Sequence, residues 1–402
     1  MKKRILVAIL VVAMVASLAV VFAGCDNAPK TFNPDGVFKI GAIYINSQND
    51  NSGYTYAHHT AIKKAMANLY LDEDRLAIVD NVPEEDDAVN AAIDTLVGQG
   101  CDLIIGISFG YINAMNNKAK EYPNVLFTHA TGYMSNDTNF NNYFGRIYQA
   151  RYLAGIAAGL KSLEIKNNKI GYVSAYTTAY AETASGINAF AMGAIAANPD
   201  AKVYVKKLGS WGNETMEKSL AEALIQEGCG VISQHCDSAQ PQIAAQNEGV
   251  FGCGYNSDMT AQAPDAHLTA TIWHWDVYYQ KAILTAMGGM ENFMEKMGKD
   301  YYAGLKEGLV GVSPLSKNCA AGTDKAIEAV SELILSGEWD VFSGVKLSVD
   351  AQGKITKTNA DLKDCNGNVI VEAGGKSVDD SVIKSTMNYL IEGVIGDYDI
   401  KE

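Results

Sequence analysis

Short apolar runs alternate with stretches of helical periodicity along most of this chain. Phe38–Ile45 (FKIGAIYI) has the length and apolar content of a buried strand, and a Gly/Asn/Ser-rich loop after it leads into a helix predicted over Tyr56–Leu69. Leu76–Asp80 reads as a second strand. Across Asp86–Gly98 the apolar residues Ala88, Ala91, Ala92, Leu96 and Val97 fall at helical spacing. Leu103–Ile107, a helix near Ile112–Tyr122 and Val125–Thr128 complete a first unit. After Tyr143–Ile147 the pattern restarts with helix Arg151–Leu160, strand Lys169–Ser174, helix Ala184–Ala197 and strand Lys202–Lys207. Helix Glu214–Glu227, strand Gly230–Gln234, helix Gln240–Glu248 and strand Val250–Gly254 follow. Two successive βαβ units of similar size, with right-handed crossovers, predict an α/β protein of two doubly wound parallel-sheet lobes. No Pro-rich linker separates them, so strand-like hinge crossings are expected to join them.

The first 25 residues follow another pattern. Lys2, Lys3 and Arg4 form a cationic head, Ile5 to Ala23 is an uncharged apolar run, and Ala23-Gly24-Cys25 closes it. This is the layout of a secretory signal peptide, and the Cys directly after Ala-Gly is that of a bacterial lipoprotein. Cleavage before Cys25 and acylation of its thiol are therefore expected, with residues 25–35 as a tether. A spanning anchor is the alternative, because the run approaches the thickness of a bilayer. Asp26, Asn27 and Pro29 follow, however, and no cation is there to stop transfer. Two or three acyl chains would hold the protein on the extracytoplasmic face of the cell membrane, where one alone is marginal.

Removal of that segment leaves enough chain for two lobes with real cores. It also takes away three cations, so the formal net charge moves from −14 to −17. Such a surface repels nucleic acid and anionic lipid heads, and a phosphorylated ligand fits it poorly. Besides Cys25, the cysteines are Cys101, Cys229, Cys236, Cys253, Cys319 and Cys365. None is spaced as CxxC and no Cys/His cluster has metal-ligand spacing, so neither a metal nor a cofactor is expected. Cys101 and Cys229 each open an apolar strand and read as buried free thiols.

In parallel sheets, binding groups sit in loops at the carboxyl ends of strands. Here those loops read NSQNDNSGY (Asn46–Tyr54), SFGY (Ser108–Tyr111), HATG (His129–Gly132), SWG (Ser210–Gly212), HCDS (His235–Ser238) and YNSD (Tyr255–Asp258), with TIWHW (Thr271–Trp275) beyond. Any one of these aromatics is more often wall packing than ligand contact. Several converging on one cleft, with amides and carboxylates among them, suit a flat, neutral, hydrogen-bonding molecule. Catalysis is the rival reading. No G-x-S-x-G, P-loop or HExxH occurs, the six histidines lack a carboxylate at helical spacing, and His235 with Asp237 has no nucleophile motif beside it. A hydrolase, including one acting on nucleosides, is therefore the weaker expectation.

The segments TLVGQGCDLIIGISFG (Thr95–Gly110), HATGY (His129–Tyr133), YFGRIYQARYLAG (Tyr143–Gly155), GINAF (Gly186–Phe190), QHCDS (Gln234–Ser238), GYNSDM (Gly254–Met259) and SGEWDVFSG (Ser336–Gly344) carry a family resemblance. In this order the chain resembles the basic-membrane-protein family of ABC-transporter solute-binding lipoproteins, whose best-known members are purine nucleoside receptors. The resemblance implies the type I periplasmic-binding-protein fold, with ligand clamped between two lobes joined by three hinge crossings. It places the N-terminal lobe at 36–147 plus about 256–315, the C-terminal lobe at 148–255 plus about 316–348, and an extension at 349–402. Tyr54 and Trp211 take the places of the aromatics that sandwich a purine, Asn51 that of a first-loop Asp, and Phe109 and Asp237 match further pocket positions. Asn256 and Trp273 stand where nucleoside binders carry an acid and a Lys for the sugar. Loss of both charges points to a free base such as adenine ahead of a nucleoside, with a second aromatic closing the pocket. The implied partners are a permease and an ATPase, the implied state is a monomer, and a sensor for another small neutral solute such as a sugar is the alternative.

Overall fold

The computed structural model describes residues 36–396; the signal segment and Cys25 lie outside them. The first lobe begins with β1 (Ile40–Tyr44), α1 (Gly53–Asn68), β2 (Leu76–Val79), α2 (Asp86–Gly98), β3 (Leu103–Ile107), α3 (Ile112–Glu121), β4 (Leu126–Ala130) and β5 (Phe140–Gly145). β1, β3 and β4 are buried at every residue, which is why they read as unbroken apolar runs with helices on both faces. α2 shows how the helices are specified: Asp86 and Asp87 favour its positive N-terminal end, and Val89, Ala92, Ile93 and Leu96 turn one face to the sheet.

The chain then crosses into the second lobe. There α4 (Ile147–Glu164), β6 (Lys169–Ser174), α5 (Ala181–Ala197), β7 (Lys202–Lys207), α6 (Glu214–Gln226), β8 (Val231–His235), α7 (Gln240–Asn247), β9 (Phe251–Asn256) and β10 (His267–Trp273) follow. It returns to the first lobe for α8 (Trp275–Met287), α9 (Met290–Met297) and β11 (Asp300–Ala303), then crosses again to β12 (Val310–Val312) and α10 (Thr323–Ser336). The C-terminal segment adds β13 (Val345–Val349), β14 (Ile355–Asn359), β15 (Leu362–Lys363), β16 (Val369–Val371), α11 (Asp380–Ser385) and β17 (Val394–Gly396). One sheet has the order β11-β5-β4-β3-β1-β2 and the other β12-β10-β9-β8-β6-β7-β17. All ladders in both are parallel except β10 with β12.

Three crossings join the lobes, at Arg146, at His274 and at residues 304–309. They lie side by side, because Arg146 donates its backbone N–H to Ala303 O (2.7 Å) and His274 to Leu309 O (2.7 Å). The return crossing therefore lies after β10 rather than near residue 256. β10 reads weakly as a strand because His267, Thr269 and Thr271 interrupt its apolar run, yet all three are buried and Thr269 Oγ1 donates to Ser313 O (2.8 Å). The third crossing likewise comes before β12, not near residue 315. The C-terminal segment is part of the second lobe, since β17 pairs with β7. It also reaches the hinge, where Asp380 takes two hydrogen bonds from Arg146 Nε and one from Nη2 (2.6 Å), and Lys384 pairs with Asp300 of the first lobe.

Candidate functional site

The loops at the carboxyl ends of both sheets face each other across a cleft, and the lobes meet over it. Gly53 N–H at the start of α1 donates to Ser257 Oγ of the second lobe (3.2 Å), and Gln262 Nε2 donates to Asn51 O (3.3 Å). Between them lies a pocket of about 410 Å³ of atom-free space, lined by Ile45, Tyr54, Ser108, Phe109 and Thr131 of the first lobe and by Glu182, Trp211, His235, Asp237 and Tyr255 of the second.

Four of the residues expected from sequence come together here: Tyr54, Phe109, Trp211 and Asp237. Their rings are held by further aromatics. Trp211 lies 5.1 Å from Tyr176 and 5.2 Å from Tyr180, and Tyr180 meets Phe109 edge-on across the cleft at 5.7 Å. Tyr54 packs edge-on against His58 (4.5 Å), whose ring stacks on Trp275. Offset and edge contacts of this kind fix ring planes at separations where pairs attract.

The other three expected residues are not among those that line this pocket. Asn51 is exposed and lines the wider mouth of the cleft. Asn256 and Trp273 line a separate groove beside α1. Trp273 does not close the pocket with its indole; as the last residue of β10 it sits at the hinge, stacked on Trp275 (4.2 Å, 12°) and donating Nε1–H to Tyr255 Oη (3.2 Å). Tyr255 is the ring that reaches the pocket in its stead. Asn256 is buried in the left-handed region (φ 67°), with its amide close enough to the Asp237 carboxyl to oppose the upward push of burial on that group.

Several functional groups escape the sequence reading. Glu182 lies in the first turn of α5, two residues before the predicted helix start, and accepts from His235 Nε2 at 3.3 Å. The strand-end rule would have found it, along with Tyr176 and Tyr180, had it been applied to the loop after β6. His235 is also pressed edge-on to Tyr255 (4.7 Å). Beneath Tyr255 lies the fully buried Arg151, its guanidinium 3.8 Å from the ring centre and its Nη1 donating to Gln234 O (2.6 Å). A cation against a ring face is attracted by the ring quadrupole.

The electrostatics are dominated by carboxylates. Burial first, and then the charges of Glu217, Glu182 and Glu84, hold the Asp237 carboxyl well above the usual carboxylate range. Glu217 is fully buried and takes hydrogen bonds from Ser238 N–H (3.1 Å), Ser238 Oγ (2.6 Å) and Asn213 N–H (2.9 Å). Glu84 accepts from Ser108 Oγ (2.5 Å) and Gly110 N–H (2.8 Å). Burial, with help from Arg151, pushes His235 down to about 4, so its imidazole is neutral at pH 7. Neutral His235 bonded through Nε2–H leaves Nδ1 as an acceptor. The pocket thus offers aromatic walls from both lobes and an excess of hydrogen-bond acceptors. No group of metal-binding side chains occurs among the described residues, and no described helix is long and apolar enough to cross a membrane.

The Bmp family model, described as ABC transporter substrate-binding protein PnrA-like, matches residues 38–343. A purine-binding protein of Brucella abortus is 33% identical over 359 residues, covering 89% of this chain and 92% of that protein. A putative ABC transporter glucose-binding protein of Haloferax volcanii is 35% identical over 243 residues, 60% of this chain and 59% of its own length. An ABC transporter solute-binding protein of Aeropyrum pernix superposes with a TM-score of 0.60 at 16% identity, covering 77% and 93% of the two chains. That likeness shows the fold, the two-lobed type I periplasmic solute-binding architecture.

Proposed function

Because the chain belongs to the Bmp family of PnrA-like ABC transporter substrate-binding proteins, we propose that its interlobe pocket captures a purine, a free base such as adenine ahead of its nucleoside. The observation that carries this reading is the combination of rings and acceptors at one place: Tyr54 and Phe109 from one lobe, Trp211 and Tyr255 from the other, with Asp237 and Glu182 between them. A planar base can stack on such walls, and its N–H groups can point at the carboxyls. A carboxyl that keeps its proton readily can donate to a ring nitrogen while its other oxygen accepts from an exocyclic amine, which is the edge adenine presents. The Brucella relative's purine binding supports the same reading. A ribose would have to project from this small pocket into the mouth at Asn51, which supports base over nucleoside. The loaded, closed form then docks on a permease and its ATPase. We place the protein as a monomer on the extracytoplasmic face, held by lipid on Cys25.

Sugar capture is the second reading, favoured by the name of the Haloferax relative and by the ability of Trp and carboxylate groups to grip hydroxyls. Calorimetric titration with adenine, adenosine and glucose separates the three. Adenine should bind at least as tightly as adenosine. A tenfold preference for adenosine, about 1.4 kcal/mol, overturns the choice of base, and heat with glucose but with no purine overturns the purine reading. Tyr54→Ala and Trp211→Ala should each weaken purine binding by about 1–3 kcal/mol while the melting temperature of the ligand-free protein barely moves. Normal affinity in a destabilised variant would make that ring a core residue instead.

A further inference from the structure

The chain beyond residue 343 lies outside the family match, and with the second lobe it lines another hollow, half-open to solvent, of about 220 Å³. Lys202 opens β7 and Gly393 immediately precedes the parallel strand β17, so this cavity sits at the amino ends of the strands. The interlobe pocket sits at their carboxyl ends. The two sites are at opposite ends of one sheet.

The floor is apolar. Ile195 of α5, Leu347 of β13, Leu362 of β15 and Ile391 line it, over Tyr152 and Trp339, which meet edge to face at 5.1 Å. Trp339 Nε1–H is satisfied by Val345 O (2.7 Å), so the indole brings no unpaired polar group to the wall. The rim is cationic. Lys202, Lys346 and Lys363 stand against a single acid, Glu392, in a chain whose formal net charge is −14. Lys202 and Lys346 are exposed and have no ion pair among the described residues; Lys363 has one exposed partner, Asp361, at 3.7 Å. Three lysines against Glu392 and Asp361 leave this rim net positive on an otherwise acidic chain, a local field that favours anions. Lysine stems can lie along apolar surface while their ammonium groups gather at one point.

We propose that this cavity is a second binding site, for a small amphipathic anion whose apolar body fills the floor and whose carboxylate-type head sits among Lys202, Lys346 and Lys363. It is formed where the C-terminal segment joins the lobe, at the opposite end of the sheet from the interlobe pocket.

Decanoate is the probe, titrated calorimetrically into the full-length protein, with decanol as its uncharged counterpart. One saturable decanoate site is expected, with decanol binding more weakly, and an excess of adenine should leave the isotherm unchanged. The triple variant Lys202→Ala/Lys346→Ala/Lys363→Ala changes rim side chains only and should weaken decanoate binding tenfold or more without altering adenine binding. Ile195→Trp, which fills the hollow, should abolish decanoate binding while leaving the circular dichroism spectrum unchanged. Absence of saturable binding overturns the proposal, as does decanol binding equally well, displacement by adenine, or undiminished affinity in both variants. A failure of adenine to bind anywhere bears only on the interlobe pocket.

Discussion

Gly53→Ala is expected to weaken ligand capture by about a hundredfold or more, about 2.8 kcal/mol at 1.4 kcal/mol per tenfold, in a protein that still folds. Gly53 opens α1 at φ 84°, and a Cβ placed on it would lie 1.8 Å from Asp237 O, a backbone atom of the opposite lobe. No rotamer change relieves a clash with a carbonyl oxygen. The lobes would have to part by more than an ångström at the deepest point of the cleft, where Tyr54 and Asp237 both line the pocket. Lobe closure by hinge bending is the step that brings the two walls onto a ligand, and a ligand held by one wall loses the contacts of the other. The left-handed backbone costs the folded state only about 1 kcal/mol more for Ala than for Gly. Gly212→Ala is the control, because its Cβ would meet Asp237 Cβ at an ordinary 3.5 Å. Calorimetry measures the affinity, and scattering of the ligand-free and ligand-saturated protein measures closure. Wild-type affinity in Gly53→Ala would mean that the bound state does not use this contact.

The strands and helices that position this pocket were legible wherever hydropathy and burial agree. β3, β6 and β7 and helix α2 fall on the predicted residues, because each is an apolar run or an amphipathic stripe bounded by Gly, Asn or charged residues. β10 was not legible as a strand. Its Thr and His side chains look like a polar loop until Ser313 is brought beside them: Ser313 N–H donates to Ala270 O (2.8 Å), and Ser313 Oγ accepts from Ala270 N–H (2.8 Å). A reading without β10 places the crossing back to the first lobe too early and leaves Trp273 in a loop facing the cleft. Trp273 instead ends a buried strand, and the ring that lines the pocket there is Tyr255, on the same side of β9 as Phe251 and Cys253 by strand alternation. Glu182 and Arg151 escaped for a different reason. Glu182 falls in the first turn of a helix that begins at Ala181, ahead of the predicted start at Ala184, whereas Arg151 lies inside its predicted helix, and its charge gives no hydropathy signal of full burial.

Stability is expected to collapse between pH 6.5 and about pH 4, because four histidines are buried where they cannot take a proton. His58, His129, His235 and His267 are each at most 1% exposed. Burial pushes His129, His235 and His267 down to about 4 and His58 well below the ordinary 6.5. The neighbouring carboxylates, Glu182 at 3.3 Å from His235 and Asp258 at 3.4 Å from His267, do not outweigh the loss of water. A base with a depressed folded pKa contributes its full share of stability above the unfolded value of 6.5 and loses it as pH falls toward the folded value, since only the unfolded chain binds the proton. Each unit below 6.5 costs about 1.4 kcal/mol per group, so four groups together cost on the order of 5 kcal/mol at pH 5.5. That is comparable with the whole stability of many domains. Asp237, Asp50 and Asp340 act in the other direction, since their raised pKa values are costs at neutral pH that are relieved on acidification, while His59 and His274 are lowered as well and add to the four. Denaturant unfolding followed from pH 7.5 to 5 should show net uptake of protons on unfolding near pH 5.5, and about one proton fewer in His235→Gln. A flat profile down to pH 5 would mean that these imidazoles reach water in the folded protein, and that the pocket's neutral His235 is not held by burial.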